Sequence, residues 1–150
     1  MLTEIVLSNS VRNKIDGKLL NKLTAIADGV LKNEGYSDGV RLNIELIGDA
    51  EIAELNERYK NTPGPTDVLS FDYRSDLDTL EPSPVIGDVA ISVDTAETNA
   101  ALYNNDFKRE LCLLVIHGVL QTLGYQHETE DKEKADEFYL KQAEYLEELC

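Results

Sequence analysis

From Phe107 to Leu123 the chain is apolar almost all the way round a helix, with one histidine, His117, in the middle of Leu111-Cys112-Leu113-Leu114-Val115-Ile116-His117-Gly118-Val119-Leu120. A helix that is apolar almost all round has little face to give to water, so nearly all of it must be packed by the rest of the chain. At 150 residues the chain is long enough to do this, because a domain of this size buries about two thirds of its surface. With 42% apolar and 29% charged residues it reads as an ordinary globular protein. No apolar run approaches the ~20 residues that span a bilayer. Met1 to Ser10 lacks the basic start and apolar stretch of a secretory signal. A cytoplasmic location with no membrane partner is therefore expected. The two cysteines, Cys112 and Cys150, form neither a disulfide framework nor a C-x-x-C site, and Cys112 reads as a small core residue.

The other elements follow from periodicity. Glu4 to Leu7 is a short apolar strand. Ile15, Leu19, Leu23, Ile26, Ala27 and Val30 recur at helical spacing and predict a helix over about 16–33. Val40, Leu42, Ile44 and Leu46 alternate with Arg41, Asn43 and Glu45, the pattern of a half-buried strand. Gly48-Asp49 supplies a stop and an N-cap for a short helix through Ile52, Leu55 and Tyr59. Lys60 to Pro65 reads as a loop, Val68 to Phe71 as a strand, and 72–85 as a long polar connection. Val89, Ile91 and Val93 predict another strand, and Asp94 with Glu97 resembles a capping box that opens a helix to about Tyr103. Ala135, Phe138, Ala143, Leu146 and Leu149 mark a last amphipathic helix. The expectation is an α+β fold over residues 1–150. It is a single domain with a mixed four-stranded sheet covered by about five helices, and helix 107–123 lies buried at the centre.

The buried helix carries a polar stripe. Gln121, four residues after His117, lies about 40° further round and shares its face. Glu110 falls on the same face, roughly 10 Å up the helix. Gly124 can take a left-handed conformation and send His127 back toward that face. His117, Gln121, Gly124 and His127 keep the spacing of an H-x-x-x-H-x-x-G-x-x-H metal-binding helix and turn. Three converging donors with an open fourth position suit a divalent ion such as zinc. The middle donor is here a carboxamide, which is weaker than imidazole. A buried histidine satisfied by a neighbouring glutamine is the structural alternative. Position 118 is Gly, so the glutamate base of zinc peptidases is absent.

These residues resemble the YbeY family. His117-Gly118-Val119-Leu120-Gln121-Thr122-Leu123-Gly124-Tyr125-Gln126-His127 resembles its signature H-G-x-L-H-L-x-G-Y-D-H. Leu55-Asn56-Glu57-Arg58-Tyr59-Lys60 and Pro65-Thr66-Asp67-Val68-Leu69-Ser70-Phe71 resemble its blocks L-N-x-x-Y-R and P-T-D-V-L-S-F. Ile86-Gly87-Asp88-Val89 resembles a third block. The resemblance implies a bacterial metal-dependent endoribonuclease of ribosomal RNA maturation, with zinc held by histidines between sheet and helices. Carried over by position, His117 and His127 are metal ligands and Gln121 stands at the third ligand position. Lys60 stands where the family has an Arg thought to engage RNA phosphate, and Gln126 where it has an Asp. His to Gln weakens the metal site, and Arg to Lys loses the planar fork that suits phosphate.

On this reading His117 and Lys60 are the catalytic residues, with Arg58 or Arg109 as further phosphate contacts. Thr66, Asp67 and Ser70 line the substrate cleft or simply bond a strand end. Asp88 orients a ligand or caps a strand, and Tyr125 stacks on a base or packs beside the turn. The expected partners are single-stranded or ribosomal RNA and ribosome-associated proteins. The formal charge of −15 opposes RNA binding unless a locally positive cleft exists. Residues 128–150, with nine acidic residues and three lysines, are expected to form a solvated helix face away from that cleft. The alternatives are a non-catalytic ribosome-associated binding protein on the same fold and, disfavoured by Gly118, a zincin-like hydrolase.

Overall fold

The computed structural model describes residues 2–36, 39–77 and 83–150. Its elements in chain order are β1 (Thr3–Leu7), α1 (Gly17–Asn33), β2 (Arg41–Ile47), α2 (Asp49–Lys60), β3 (Val68–Asp72), β4 (Val85–Ser92), α3 (Val93–Leu102), α4 (Phe107–Thr122) and α5 (Lys132–Leu149). The sheet runs β1-β2-β4-β3. β1, β2 and β4 are parallel and the edge strand β3 is antiparallel to β4. This is a mixed four-stranded α+β fold with five α-helices among the described residues.

Strand alternation divides the side chains between two faces. Leu42, Ile44 and Leu46 of β2 pair with Gly87, Val89 and Ile91 of β4, and this set joins the main core with α1 and α4. Asn43, Glu45, Asp88 and Ala90 are in register on the other face. There Ile47, Leu69 and Ala90 form a small second cluster with Ile52 of α2. On β3 the same alternation turns Val68 and Ser70 toward α4.

Helix α4 lies against the sheet because glycines allow it. A Cβ at Gly118 would stand 2.5 Å from Val89 Cγ1 and 3.2 Å from Val68 Cγ2. At Gly87 it would stand 2.1 Å from Thr122 Cγ2 and 2.7 Å from the Phe71 carbonyl. Leu111, Cys112, Val115, Ile116, Val119 and Leu120 are wholly buried, as the all-round apolar pattern requires.

Some local expectations are corrected. Ser92, not Asp94, caps α3, its hydroxyl accepting from Thr95 N at 3.1 Å. Asp94 instead accepts from Lys14 Nζ at 2.8 Å and Asp49 N at 2.9 Å. Gly48, not Asp49, is the N-cap of α2, and Glu51 closes the turn by accepting from Gly48 N at 3.1 Å. The Asp49 carboxylate is taken by the Ser92 and Thr95 hydroxyls at 2.7 and 2.5 Å. Lys60 ends α2 rather than starting a loop. Ala143 is exposed, and the inner face of α5 runs through Phe138, Gln142 and Tyr145. Of the polar connection, 78–82 lies outside the described residues. All nine acidic residues of 128–150 are exposed. Among the described residues no helix is long and apolar enough to cross a membrane.

Gly118→Ala should cost about 1–3 kcal/mol of stability, the usual penalty for overpacking a closed contact. A lowered urea midpoint at unchanged slope would show it. Gly17→Ala, where a Cβ meets nothing within 4 Å, should be neutral or slightly stabilising in the same measurement.

Candidate active site

The end of α4 sets the geometry. Leu123 caps the helix and Gly124 follows at φ +92°. Gly124 N donates to Gln121 O at 3.0 Å and Tyr125 N to Leu120 O at 3.1 Å, the paired bonds of a Schellman turn. The chain doubles back, and the His127 ring arrives 4.5 Å from that of His117, edge to face at 77°. Both rings pack on Phe138 of α5, at 4.8 and 5.0 Å.

Gln121 lies between the turn and the sheet edge. Its Nε2 is 3.4 Å from His127 Nδ1, and its Oε1 accepts from Ser70 Oγ at 2.9 Å. Ser70 Oγ is also 3.2 Å from the Gly118 carbonyl. His117 Nδ1 lies 2.8 Å from Gln142 Oε1. That oxygen can only accept, so Nδ1 carries the proton and Nε2 keeps its lone pair. Burial, aided by the neighbouring His127, pulls the His117 pKa below the ordinary 6.5, so the ring is neutral at pH 7. Among the described residues no three His, Cys, Asp or Glu gather as a metal-ligand cluster; the polar group beside the two imidazoles is the amide of Gln121.

Two open recesses flank this point. One, of about 380 Å³, is lined by Lys60, Thr66, Ser70, Gln121 and Glu128. The other, of about 460 Å³, is lined by His117, Gln142, Asp67 and Glu110 with the turn after α3. Asp67 lies at the mouth of β3, where its Oδ1 also accepts from Val68 N at 2.8 Å. Among the described residues these recesses do not form the positive cleft, because the first sets one lysine against Glu128 and the second is lined by two acids and no lysine or arginine.

Several residues singled out in the sequence lie elsewhere. Asp88 faces the opposite side of the sheet, bonded to Tyr73 Oη at 2.7 Å and Asn43 Nδ2 at 3.2 Å, since strand parity separates it from Gly87 and Val89. Arg58 pairs with Glu54 at 3.1 Å on the exposed side of α2. Arg109 is within electrostatic reach of Cys150, near the end of α5. Tyr125 packs against the core beside the turn, with its hydroxyl donating to Glu34 Oε1 at 2.5 Å and Lys141 Nζ lying 5.1 Å from its ring centroid.

Glu34, Phe138 and Gln142 were not foreseen as neighbours of the site. Gln142 is four residues after Phe138, a helical spacing that could have flagged it. Glu34, just past α1, receives Tyr125, Tyr145 and Lys141, so it ties the turn before His127 to α5. Burial pushes its carboxyl pKa up, but these three donors together outweigh burial and hold it below the usual 4.5.

The comparison with known proteins settles the lineage. The family model described as endoribonuclease YbeY matches residues 6–150. The chain belongs to the YbeY family. An endoribonuclease YbeY from Pelotomaculum thermopropionicum is 38% identical over 133 residues, covering 86% of this chain and 88% of that one. The Bacillus subtilis endoribonuclease YbeY is 33% identical over 138 residues, covering 88% and 87%. A solution structure of a Thermotoga maritima protein superposes with a TM-score of 0.67 at 33% identity, over 98% of this chain and 88% of that one. At the YbeY signature positions, the structure thus brings His117, Gln121 and His127 together, with Lys60 across the adjoining recess.

A carboxyl held below its unfolded pKa stabilises the fold above that value, and the gain disappears as pH falls through the folded pKa. Glu34→Gln should therefore cost about 1.5–3 kcal/mol at pH 7, in the range of hydrogen bonds to a charged group. The gap from the parent should close as pH falls below the usual 4.5 and through the lowered folded value, read from urea midpoints across pH.

Proposed function

We propose that this protein is an endoribonuclease, a hydrolase that cuts RNA during ribosomal RNA maturation. Its site is built on His117, Gln121 and His127, with Lys60 as the phosphate contact. The observation that carries the proposal is the meeting of two imidazoles, one of them half-buried and held at Nδ1 by Gln142, beside a recess that holds a lysine.

The donor set suits a divalent ion such as zinc. Metal ligation needs neutral imidazole, and a ligand histidine usually gives its other N–H to an acceptor, as His117 does to Gln142. The amide of Gln121 can turn over without losing Ser70. The Ser70 hydroxyl would then donate to Gly118 O and accept from Nε2, freeing the amide oxygen toward His127. His117, His127 and that oxygen would hold the ion, weakly because of the amide. When bound, the ion supplies positive charge to a phosphoryl oxygen and acidifies water. The acidic recesses make this charge the more necessary, since Lys60 is the cation lining them among the described residues.

The chain's own groups divide the remaining work. Lys60 attracts the phosphate as a point charge. Thr66 and Ser70 present hydroxyls to the same recess, and Asp67 stands on the other side near His117. Gln142 fixes the His117 tautomer, and Phe138 shields both rings from water. The glutamate base of zinc peptidases is absent at position 118, where even a Cβ would meet Val89, and this disfavours a zincin-like hydrolase.

A second reading, a ribosome-associated binding protein without turnover, is favoured by one observation. Gln121 already satisfies Ser70 and approaches His127 with no ion needed. Metal analysis of protein prepared without chelator separates the two. Near-stoichiometric zinc supports the enzyme, and less than about a tenth of an equivalent supports the binding protein.

His117→Ala should abolish RNA cleavage, measured on a single-stranded ribosomal RNA fragment. Gln121→His should raise zinc affinity and cleavage together. Gln142→Leu should lower zinc affinity by about 10–100-fold, the usual effect of losing the partner that orients a ligand histidine. Isothermal titration with zinc would read both affinities.

A further inference from the structure

The recess on the Gln142 side of His117 has its own chemistry. It is lined by Leu113 and Leu114 of α4, by the carboxylates of Glu110 and Asp67, and by amides of the turn that follows α3. Tyr103, 71% exposed, stands on the same turn. That turn is fixed: Asn104 takes φ 51°, Asn105 N donates to Ala100 O at 2.8 Å, and Asn105 Oδ1 accepts from Asp106 N at 3.0 Å. Asn105 Nδ2 in turn donates to Glu110 Oε2 at 3.2 Å. Glu110 itself is only 6% exposed, a costly place for a carboxylate unless further donors reach it. Each of its oxygens has two lone pairs, so capacity remains after the Asn105 bond.

No lysine or arginine lines this recess among the described residues, and its two carboxylates repel phosphate. Apolar side chains, an exposed aromatic ring and a buried acceptor suit a flat neutral ring with N–H donors along one edge. We propose that this recess is a nucleobase subsite that selects guanine next to the phosphate held on the Lys60 side. Guanine presents two adjacent donors, N1–H and the 2-amino group, in the geometry that a carboxylate accepts side by side. Adenine and cytosine each set an acceptor nitrogen beside their amino group, which Glu110 repels. Uracil has one N–H between two carbonyls. The position of the phosphate rests on the endoribonuclease reading; the base preference does not.

The first test therefore uses guanosine, which has no phosphate, followed by NMR of the Leu113 and Leu114 methyl groups. Guanosine should bind at least about tenfold more tightly than adenosine, the discrimination expected of a paired polar edge, with inosine between them. Glu110→Gln should remove that preference, and Tyr103→Ala, at an exposed position, should weaken all three nucleosides. Equal binding of guanosine and adenosine, a preference that survives Glu110→Gln, or equal occupancy by methylguanidinium would overturn the proposal. The second test maps cleavage of short single-stranded RNAs that vary the bases flanking one bond. Bonds next to guanine should be cut at least about tenfold faster, and Glu110→Gln should erase the difference. Guanosine selectivity without any cleavage would leave the subsite standing and sink the nuclease reading. Cleavage without base preference would do the reverse.

Discussion

Everything in this molecule is referred to the contact between α4 and the sheet at Gly118. The helix lies close enough there that a single added carbon would run into Val89. That approach puts Gln121 within reach of Ser70 on the edge strand and leaves His117 at the border of the core. A helix held further off would have needed larger side chains in the gap, and the Ser70–Gln121 bond would be lost. Packing density, which is a property of the whole interior, thus fixes the position of three polar groups to within a hydrogen-bond length.

The polar groups are arranged by satisfaction rather than by charge. A half-buried imidazole is tolerable when one nitrogen is bonded and the ring stays neutral; Gln142 supplies the bond, and burial pulls the ring's pKa down. The surroundings are acidic, from Asp67 and Glu110 on one side to Glu128 on the other. In a chain with a formal charge of −15, such a site gathers cations before it gathers polyanions. A nucleic acid would meet it through a bound cation and through uncharged base edges more than through a basic surface.

Much of the architecture could be read from periodicity. The alternation from Val40 to Leu46 became β2, and the unbroken apolar run became α4, because burial on one face or on all faces leaves a direct imprint on sequence. The reversal at Gly124 was legible for the same local reason, a glycine where a left-handed residue is needed. Helix caps were less so. Asp94 looked like a cap but was drawn away by Lys14 and Asp49, partners far off in the chain. Asp88 sits in a motif with Gly87, yet strand parity sends the two to opposite faces. Glu34 was illegible because its role depends on where α5 and α1 cross the turn, and the spacing of Gln142 from Phe138 marks its helix face but not its partner. No local pattern encodes that crossing.

The hub at Glu34 has a consequence for how the molecule opens. Tyr125 belongs to the turn, and Tyr145 and Lys141 belong to α5, yet one carboxylate gathers all three, while Phe138 of the same helix backs both histidine rings. Detachment of α5 in a partial unfolding event would leave the four strands paired while stripping the histidines of their backing and the turn of its anchor. The last helix and the site therefore form one cooperative unit. Amide-exchange protection along α5 should report how often the histidine pair is intact, long before the sheet itself gives way.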